Sequence, residues 1–268
     1  MAGPEALGAK PATPMVGLPH VTVQALIEAQ AQLRADAVYA LAADSGATLT
    51  FGQLARDTRS VAAWLRAHGS APGDVVSLVM PNGLQTLRIL LGAMAGGWCV
   101  NPINLLAQRE QMAYVVGHSD CTLVCVSPDR ETMVRELLAT IGRDVSLMVV
   151  DPDADAIPFA APPADVSGPP ASDAVALLMY TSGTTGVPKG VMLSQANLCA
   201  NARAISTEHA LTSSDRVLAV LPLYHINAFV VTMLAPLTHG GSLVMPPKFS
   251  AARFWEQAQA HACSWLNV

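Results

Sequence analysis

Hydrophobic and polar positions along the chain follow two periods in turn. Val23, Leu26, Ile27 and Leu33 recur at helical spacing, with Gln30 a polar interruption on the same face. After a turn comes "TLTFGQ". There Thr50 and Gln53 form a capping-box pattern for a helix carrying Leu54, Val61 and Leu65, and Gly69 is placed to end it. "APGD" then turns into "VVSLVM", a continuous apolar run of the kind buried on both faces of a sheet. Pro81 and Asn82 break that run, and a helix is predicted over "LQTLRILLGAMA".

The alternation continues. "WCVNPIN" reads as a short strand ending in a polar turn. "CTLVCV" reads as a strand with Cys121 and Cys125 on one face. Ser127 and Pro128 supply an N-cap and a first helical position for "DRETMVRELLATI", and "VSLMVV" closes the region. Asp151–Ser172 is rich in proline, alanine and aspartate, has no period, and reads as an extended connector. Beyond it lie the strands "AVALLMY" and "GVMLS", a helix over "QANLCANARAI", and a strand, turn and helix start in "RVLAVLPLYHINAF". "SLVM" leads to a helix capped by Ser250. The final "SWLNV" is an apolar strand with no turn or polar tail after it, so the chain reads as a fragment. Such a cut would leave an unpaired sheet edge and an aggregation-prone chain.

Repeated βαβ units predict an α/β fold of mostly parallel sheets covered by helices. Residues 1–150 form a first lobe, 151–172 the connector, and 173–268 a second, truncated lobe.

Composition narrows the function. A net charge of −5 over 268 residues leaves no basic field for nucleic acid or acidic lipid. "ILLGAMAGGWCV" is too short to span a membrane. The run from Val217 to Pro247 is interrupted by Pro222, His225, Asn227, Pro236 and Gly240–Gly241, so no membrane span is expected. "MAGPEALGAKPATP" carries no secretory apolar core. The five cysteines form no CxxC pair and read as reduced core thiols, which points to the cytoplasm. The seven histidines show no metal-ligand spacing.

One stretch carries chemistry. "YTSGTTGVPKG", Tyr180 to Gly190, follows an apolar strand with Thr181, Ser182, Thr184 and Thr185, three glycines and Lys189. Glycines let a ligand approach backbone N–H groups, the hydroxyls add donors, and lysine adds a mobile point charge. That is an inventory for polyphosphate. A Walker A loop does not fit. The sixth position from Gly183 is Pro188, the residue after Lys189 is Gly190, and the hydroxyls precede the lysine. A threonine- and glycine-rich hairpin turn that binds nothing is the competing reading.

The same residues resemble the phosphate-binding signature of the adenylate-forming (AMP-binding) superfamily. The likeness extends upstream through "LTFGQLARDTRSVAAWLRAHGSAPGDVVSLVMPN" and "GGWCVNPIN", and downstream to "LPLYHINA". "LPLYHINA" looks like the acyl/aryl-CoA synthetase branch, the 4-coumarate and fatty acid–CoA ligases. It lacks the Phe-Asp pair usual in amino-acid adenylation domains.

The resemblance implies part of the large N-terminal domain of such an enzyme. It implies a reaction in which a carboxylic acid attacks ATP to give acyl-AMP and pyrophosphate, followed by capture by the thiol of coenzyme A. Thr181, Ser182, Gly183, Thr184, Thr185, Gly186 and Lys189 would hold the β- and γ-phosphates. Mg²⁺ would bridge phosphate oxygens near Thr184, with a further ligand from outside this chain. His225, read alone, is a core histidine; the resemblance makes it a site residue that orients the reactants and walls the acyl pocket, with Tyr224 and Asn227 beside it. Asn227 also fits as a helix cap. The later motifs of the superfamily, and the C-terminal half that carries them, lie beyond Val268, so this chain alone is expected to be inactive. A non-catalytic nucleotide-binding fragment, an interaction protein using its cut edge, an amino-acid adenylation domain and a homodimer stay compatible with the letters.

Overall fold

The first helix starts where a threonine can cap it. Thr22 accepts a hydrogen bond from the Ala25 amide at 3.2 Å and opens α1 (Val23–Arg34). The computed structural model describes residues 22–154, 168–181 and 187–268. Val23, Leu26, Ile27 and Gln30 are buried in α1, and Gln30 Nε2 donates to the Leu237 carbonyl at 2.9 Å. Leu33 departs from the predicted stripe and is 60% exposed. At 3.6 residues per turn it lies roughly 80° off the line through Val23.

Two strands follow, β1 (Val38–Ala42) and β2 (Thr48–Thr50). Thr50 and Gln53 form the expected capping box on α2 (Phe51–Ala67), and Gly69 leaves that helix with φ 80°. The buried run is β3 (Val75–Val79), followed by α3 (Leu84–Ala95), whose twelve residues are all buried. Its apolar residues belong in the interior, and Arg88 is buried there with Asp57 of α2 as its partner. Gly92 permits its close packing on α2, since a Cβ there would lie 2.6 Å from Val61 Cβ. Then come β4 (Cys99–Pro102), α4 (Arg109–His118) and β5 (Leu123–Val126). The turn Pro128–Arg130 is 3-10, and α5 (Glu131–Leu138) and β6 (Ser146–Val149) complete the region.

Beyond the connector the elements are β7 (Val175–Thr181), β8 (Lys189–Ser194), α6 (Gln195–Glu208) and β9 (Arg216–Ala219). A short α7 (Ile226–Ala228) runs into a π-helical turn, Phe229–Leu234, and α8 (Ala235–His239). The chain closes with β10 (Ser242–Met245), α9 (Phe254–Ala260) and β11 (Trp265–Asn267).

The strands form two sheets, in the orders β11-β9-β10-β1-β2 and β6-β5-β3-β4-β7-β8. All pairs are parallel except β1 with β2 and β7 with β8. This is the predicted α/β class. The sheets do not divide at residues 151–172. β1 and β2 join the strands of the late segment, and β7 and β8 join those of the early one. The main core lies around α1, α2 and α3 between the sheets, and α4 and α5 cover the other face of the six-stranded sheet. Residues 155–167 of the predicted connector lie outside the described residues.

Three local expectations fail for local reasons. Cys121 precedes β5 and packs with Met112 and Val116, whereas Cys125 lies in the core between the sheets. Alternation holds only for extended residues, and Asp120 turns the chain with φ 51°. The Ser127 hydroxyl makes no cap bond. Ser250 does not cap α9 either; Arg253 is its N-cap residue, without a side-chain cap bond. All five cysteines are free. Among the described residues no helix is long and apolar enough to cross a membrane.

A buried histidine sets a pH dependence. His239 ends α8 at 2% exposure, with Nδ1 2.9 Å from the Thr212 carbonyl. The Gly241 amide lies 3.2 Å from the same nitrogen, and Nε2 has no hydrogen-bond partner among the described residues. Burial, above all other causes, pulls its pKa from 6.5 down to about 4. The unfolded chain therefore binds a proton that the folded chain refuses, and stability falls as pH drops from 6.5 toward 4. Raised carboxyls such as Asp57 act in the opposite sense. Between pH 7 and pH 5 the His239 contribution is about 2 kcal/mol. Urea midpoints of wild type and His239→Gln at both pH values test it. The wild type should lose more stability than the variant; equal losses would contradict the assignment.

Candidate functional site

The predicted phosphate stretch lies at the end of a β-hairpin. β7 sits inside the six-stranded sheet and β8 forms its edge, with Tyr180 opposite Gly190 and Thr181 opposite Lys189. Thr181 and Lys189 are therefore the cross-strand partners next to residues 182–186. Ser182, Gly183, Thr184, Thr185 and Gly186 lie outside the described residues. Glycine at 190 keeps the tyrosine ring free of a facing side chain, since a Cβ there would lie 3.4 Å from Tyr180 Cζ. Lys189 is exposed and makes no ion pair with any described residue.

The base of the hairpin is tied to α4. The Tyr180 hydroxyl lies 2.7 Å from His118 Nδ1, and the two rings meet edge to face at 5.7 Å. Burial, more than the neighbouring groups, pushes the Tyr180 phenol up to about 12, so it stays protonated.

A cleft of about 540 Å³, counted out to its open mouth, lies beside this base. Pro102 at the end of β4, Asn104 beyond it, Met112 of α4, Thr181 and Pro188 of the hairpin, and Tyr224 line it. The cleft thus brings together Thr181 and Tyr224, which are far apart in sequence. Tyr224 is half-buried, and burial raises its phenol pKa against the opposing charge of Arg130.

His225 follows, as the residue before α7. Its carbonyl accepts from the Phe229 amide at 2.9 Å, and its ring centroid lies 4.7 Å from that of Tyr224. The imidazole is exposed, which removes the core-histidine reading. Asn227 is exposed inside α7 and does not cap it; the N-cap residue is His225, without a side-chain cap bond. Asn227, His225 and Lys189 do not line the cleft. The π turn behind α7 is pinned from β1, where the buried Tyr39 hydroxyl donates to the Met233 carbonyl at 2.7 Å.

One residue at this site shows in the sequence only as a break. Asn82 is 6% exposed. Its Nδ2 donates to the Leu221 carbonyl at 3.0 Å, and its Oδ1 accepts from the Leu223 amide at 3.1 Å. Both partners lie just before Tyr224. Nothing local in the letters indicates a contact across 139 positions. His118 is likewise invisible as a site residue before the strands are placed.

No three His, Cys, Asp or Glu side chains converge on a metal position among the described residues.

A family model described as "AMP-binding enzyme" matches residues 27–268. The sulfoacetate–CoA ligase of Cupriavidus necator is 52% identical over 250 residues, covering 92% of this chain and 49% of that protein. The oxalate–CoA ligase of Arabidopsis thaliana is 30% identical over 214 residues, covering 75% of this chain and 40% of that protein. The chain spans about half the length of the curated relatives it matches. Among solved structures, a fatty acyl CoA synthetase of Mycobacterium tuberculosis shares the fold with a TM-score of 0.79. It has 22% identity over 91% of this chain and 48% of that one.

Proposed function

The chain belongs to the AMP-binding enzyme family, and on that premise we propose that the protein carrying it is an ATP-dependent acid–CoA ligase. In the first half-reaction a carboxylate oxygen attacks the α-phosphorus of ATP. The bond to the β-phosphate bridging oxygen breaks, and pyrophosphate leaves. In the second, the thiol of coenzyme A attacks the acyl carbon and AMP leaves. Such chemistry asks the protein for alignment and charge neutralisation. The observation that carries this reading is the hairpin end, where Thr181 and Lys189 face each other beside a cleft that Tyr224 also lines. The hydroxyl- and glycine-rich residues 182–186 and Lys189 would take the β- and γ-phosphates, and Mg²⁺ would enter with ATP. His225, exposed next to Tyr224, would orient the acid against the α-phosphate. Five unpaired thiols support a cytoplasmic setting.

The substrate class is a short acid with a second anionic group. The relative at 52% identity supports this, being a sulfoacetate–CoA ligase; relatives at 30–33% identity divide among oxalate, medium/long-chain fatty acid and feruloyl ligases and do not separate the classes. Acid-dependent exchange of labelled pyrophosphate into ATP, measured on the whole protein, tests both levels. Sulfoacetate or oxalate should support exchange at least about tenfold faster than a long-chain fatty acid, a difference of about 1.4 kcal/mol. Exchange with an amino acid instead would move the protein to an adenylation domain. ATP binding without exchange for any acid would leave a nucleotide-binding module and end the ligase reading.

A further inference from the structure

We infer that Asn82 is a positioning residue for the Tyr224–His225 corner, an inference that rests on the ligase reading of His225. Asn82 stands after β3 of the six-stranded sheet, and the segment it grips follows β9 of the five-stranded sheet. One buried amide serves both a carbonyl, Leu221, and an N–H, Leu223, on alternate residues of that segment. Only a side chain with donor and acceptor on one planar group, at this length, closes both bonds. The grip is itself fixed. Thr86 Oγ1 donates to the Pro81 carbonyl at 2.7 Å, and the Gln85 amide donates to the Pro152 carbonyl at 3.1 Å. Gly83 lies so close that a Cβ there would stand 2.5 Å from the Pro152 oxygen. Asn82 therefore cannot follow the loop if the loop shifts. It sets the distance between the two sheets' strand ends at the point where Tyr224 turns toward the cleft and His225 begins α7.

The test uses Asn82→Ala and Asn82→Asp in the whole protein, each in wild-type and His225→Ala backgrounds. Asn82→Asp keeps an acceptor for Leu223 but sets a buried carboxylate oxygen against the Leu221 carbonyl, so at neutral pH it should lose at least as much as Asn82→Ala. Hydrogen exchange over residues 221–229 should quicken in Asn82→Ala while α3 keeps its protection. In acid-dependent pyrophosphate exchange, kcat should fall about 10- to 100-fold with the KM for ATP within about twofold, as expected when geometry and not phosphate binding is lost. In the His225→Ala background the further loss should be under about twofold, because the two residues act through one position. Unchanged exchange at 221–229, an unchanged kcat, or a full-size loss on top of His225→Ala would each overturn the inference. Absence of exchange with any acid in the wild type would sink the ligase reading, while the hydrogen-exchange arm would still decide whether Asn82 holds the loop.

Discussion

Lys189→Ala should lower acid-dependent pyrophosphate exchange by about 10²- to 10³-fold, the loss typical of removing one charge-stabilising donor from a reaction centre. Lys189 begins β8 opposite Thr181, and its ammonium makes no ion pair with any described residue. Its charge is thus free to meet phosphate. As pyrophosphate departs, negative charge accumulates on the β- and γ-phosphate oxygens, and a lysine follows it as a compact, mobile cation. Lys189→Arg should recover only part of the rate, since the planar guanidinium offers a different donor geometry. The side chain is exposed, so the melting behaviour of Lys189→Ala should match wild type to within about 0.5 kcal/mol. Steady-state rates with a thermal melt check both. A rate loss under about tenfold would contradict the phosphate role.

Arg88→Ala should destabilise the fold by about 3–5 kcal/mol, the usual cost of leaving one member of a buried pair alone. Arg88 Nε lies 2.8 Å from Asp57 Oδ2, with side chains 9% and 10% exposed. The pair joins α3 to α2 near the contact of Gly92 with Val61. Burial raises the Asp57 pKa, and the hydrogen bond and charge of Arg88 hold that rise back. Without the guanidinium only the charge of Arg56 opposes the rise. A folded-state pKa above the unfolded value means that the folded chain binds the proton more tightly. Stability then improves as pH falls through the folded pKa, so the variant's deficit should shrink on acidification. The double variant Asp57→Asn/Arg88→Met should recover much of the loss, because no lone charge stays buried. Urea midpoints at two pH values measure all three. A cost under about 1 kcal/mol for Arg88→Ala would show that the pair behaves as an exposed one.

Much of the local structure could be read from neighbouring letters. Thr50 and Gln53 cap α2 as their spacing predicts, β3 is the apolar run after "APGD", and α3 is the run after Pro81 and Asn82. These features arise within a few residues, where sequence spacing and spatial spacing agree. Strand partners do not. β1 and β2 join the sheet of β9 and β10, and no letter near Val38 records that choice. Buried polar side chains are hidden for the same reason. Gln195 accepts from the Val23 amide at 2.9 Å and donates to the Met94 carbonyl at 2.8 Å. Both partners are more than a hundred positions away, and Gln195 looks like an ordinary first helical residue. Of the proposed site, the motif letters named Thr181, Lys189, Tyr224 and His225, and the structure brings Thr181 and Tyr224 to one cleft. The topology supplied what the letters lacked: the antiparallel pairing of Thr181 with Lys189, the tether from Tyr180 to His118, and the grip of Asn82.

The hairpin end stands or falls on where ATP puts its phosphates. A structure of the whole protein with bound ATP measures this directly. The β- or γ-phosphate oxygens should lie about 3 Å from Lys189 Nζ, within hydrogen-bond reach, with the α-phosphate turned toward His225. A triphosphate bound elsewhere, with Thr181 and Lys189 facing solvent, would contradict the account.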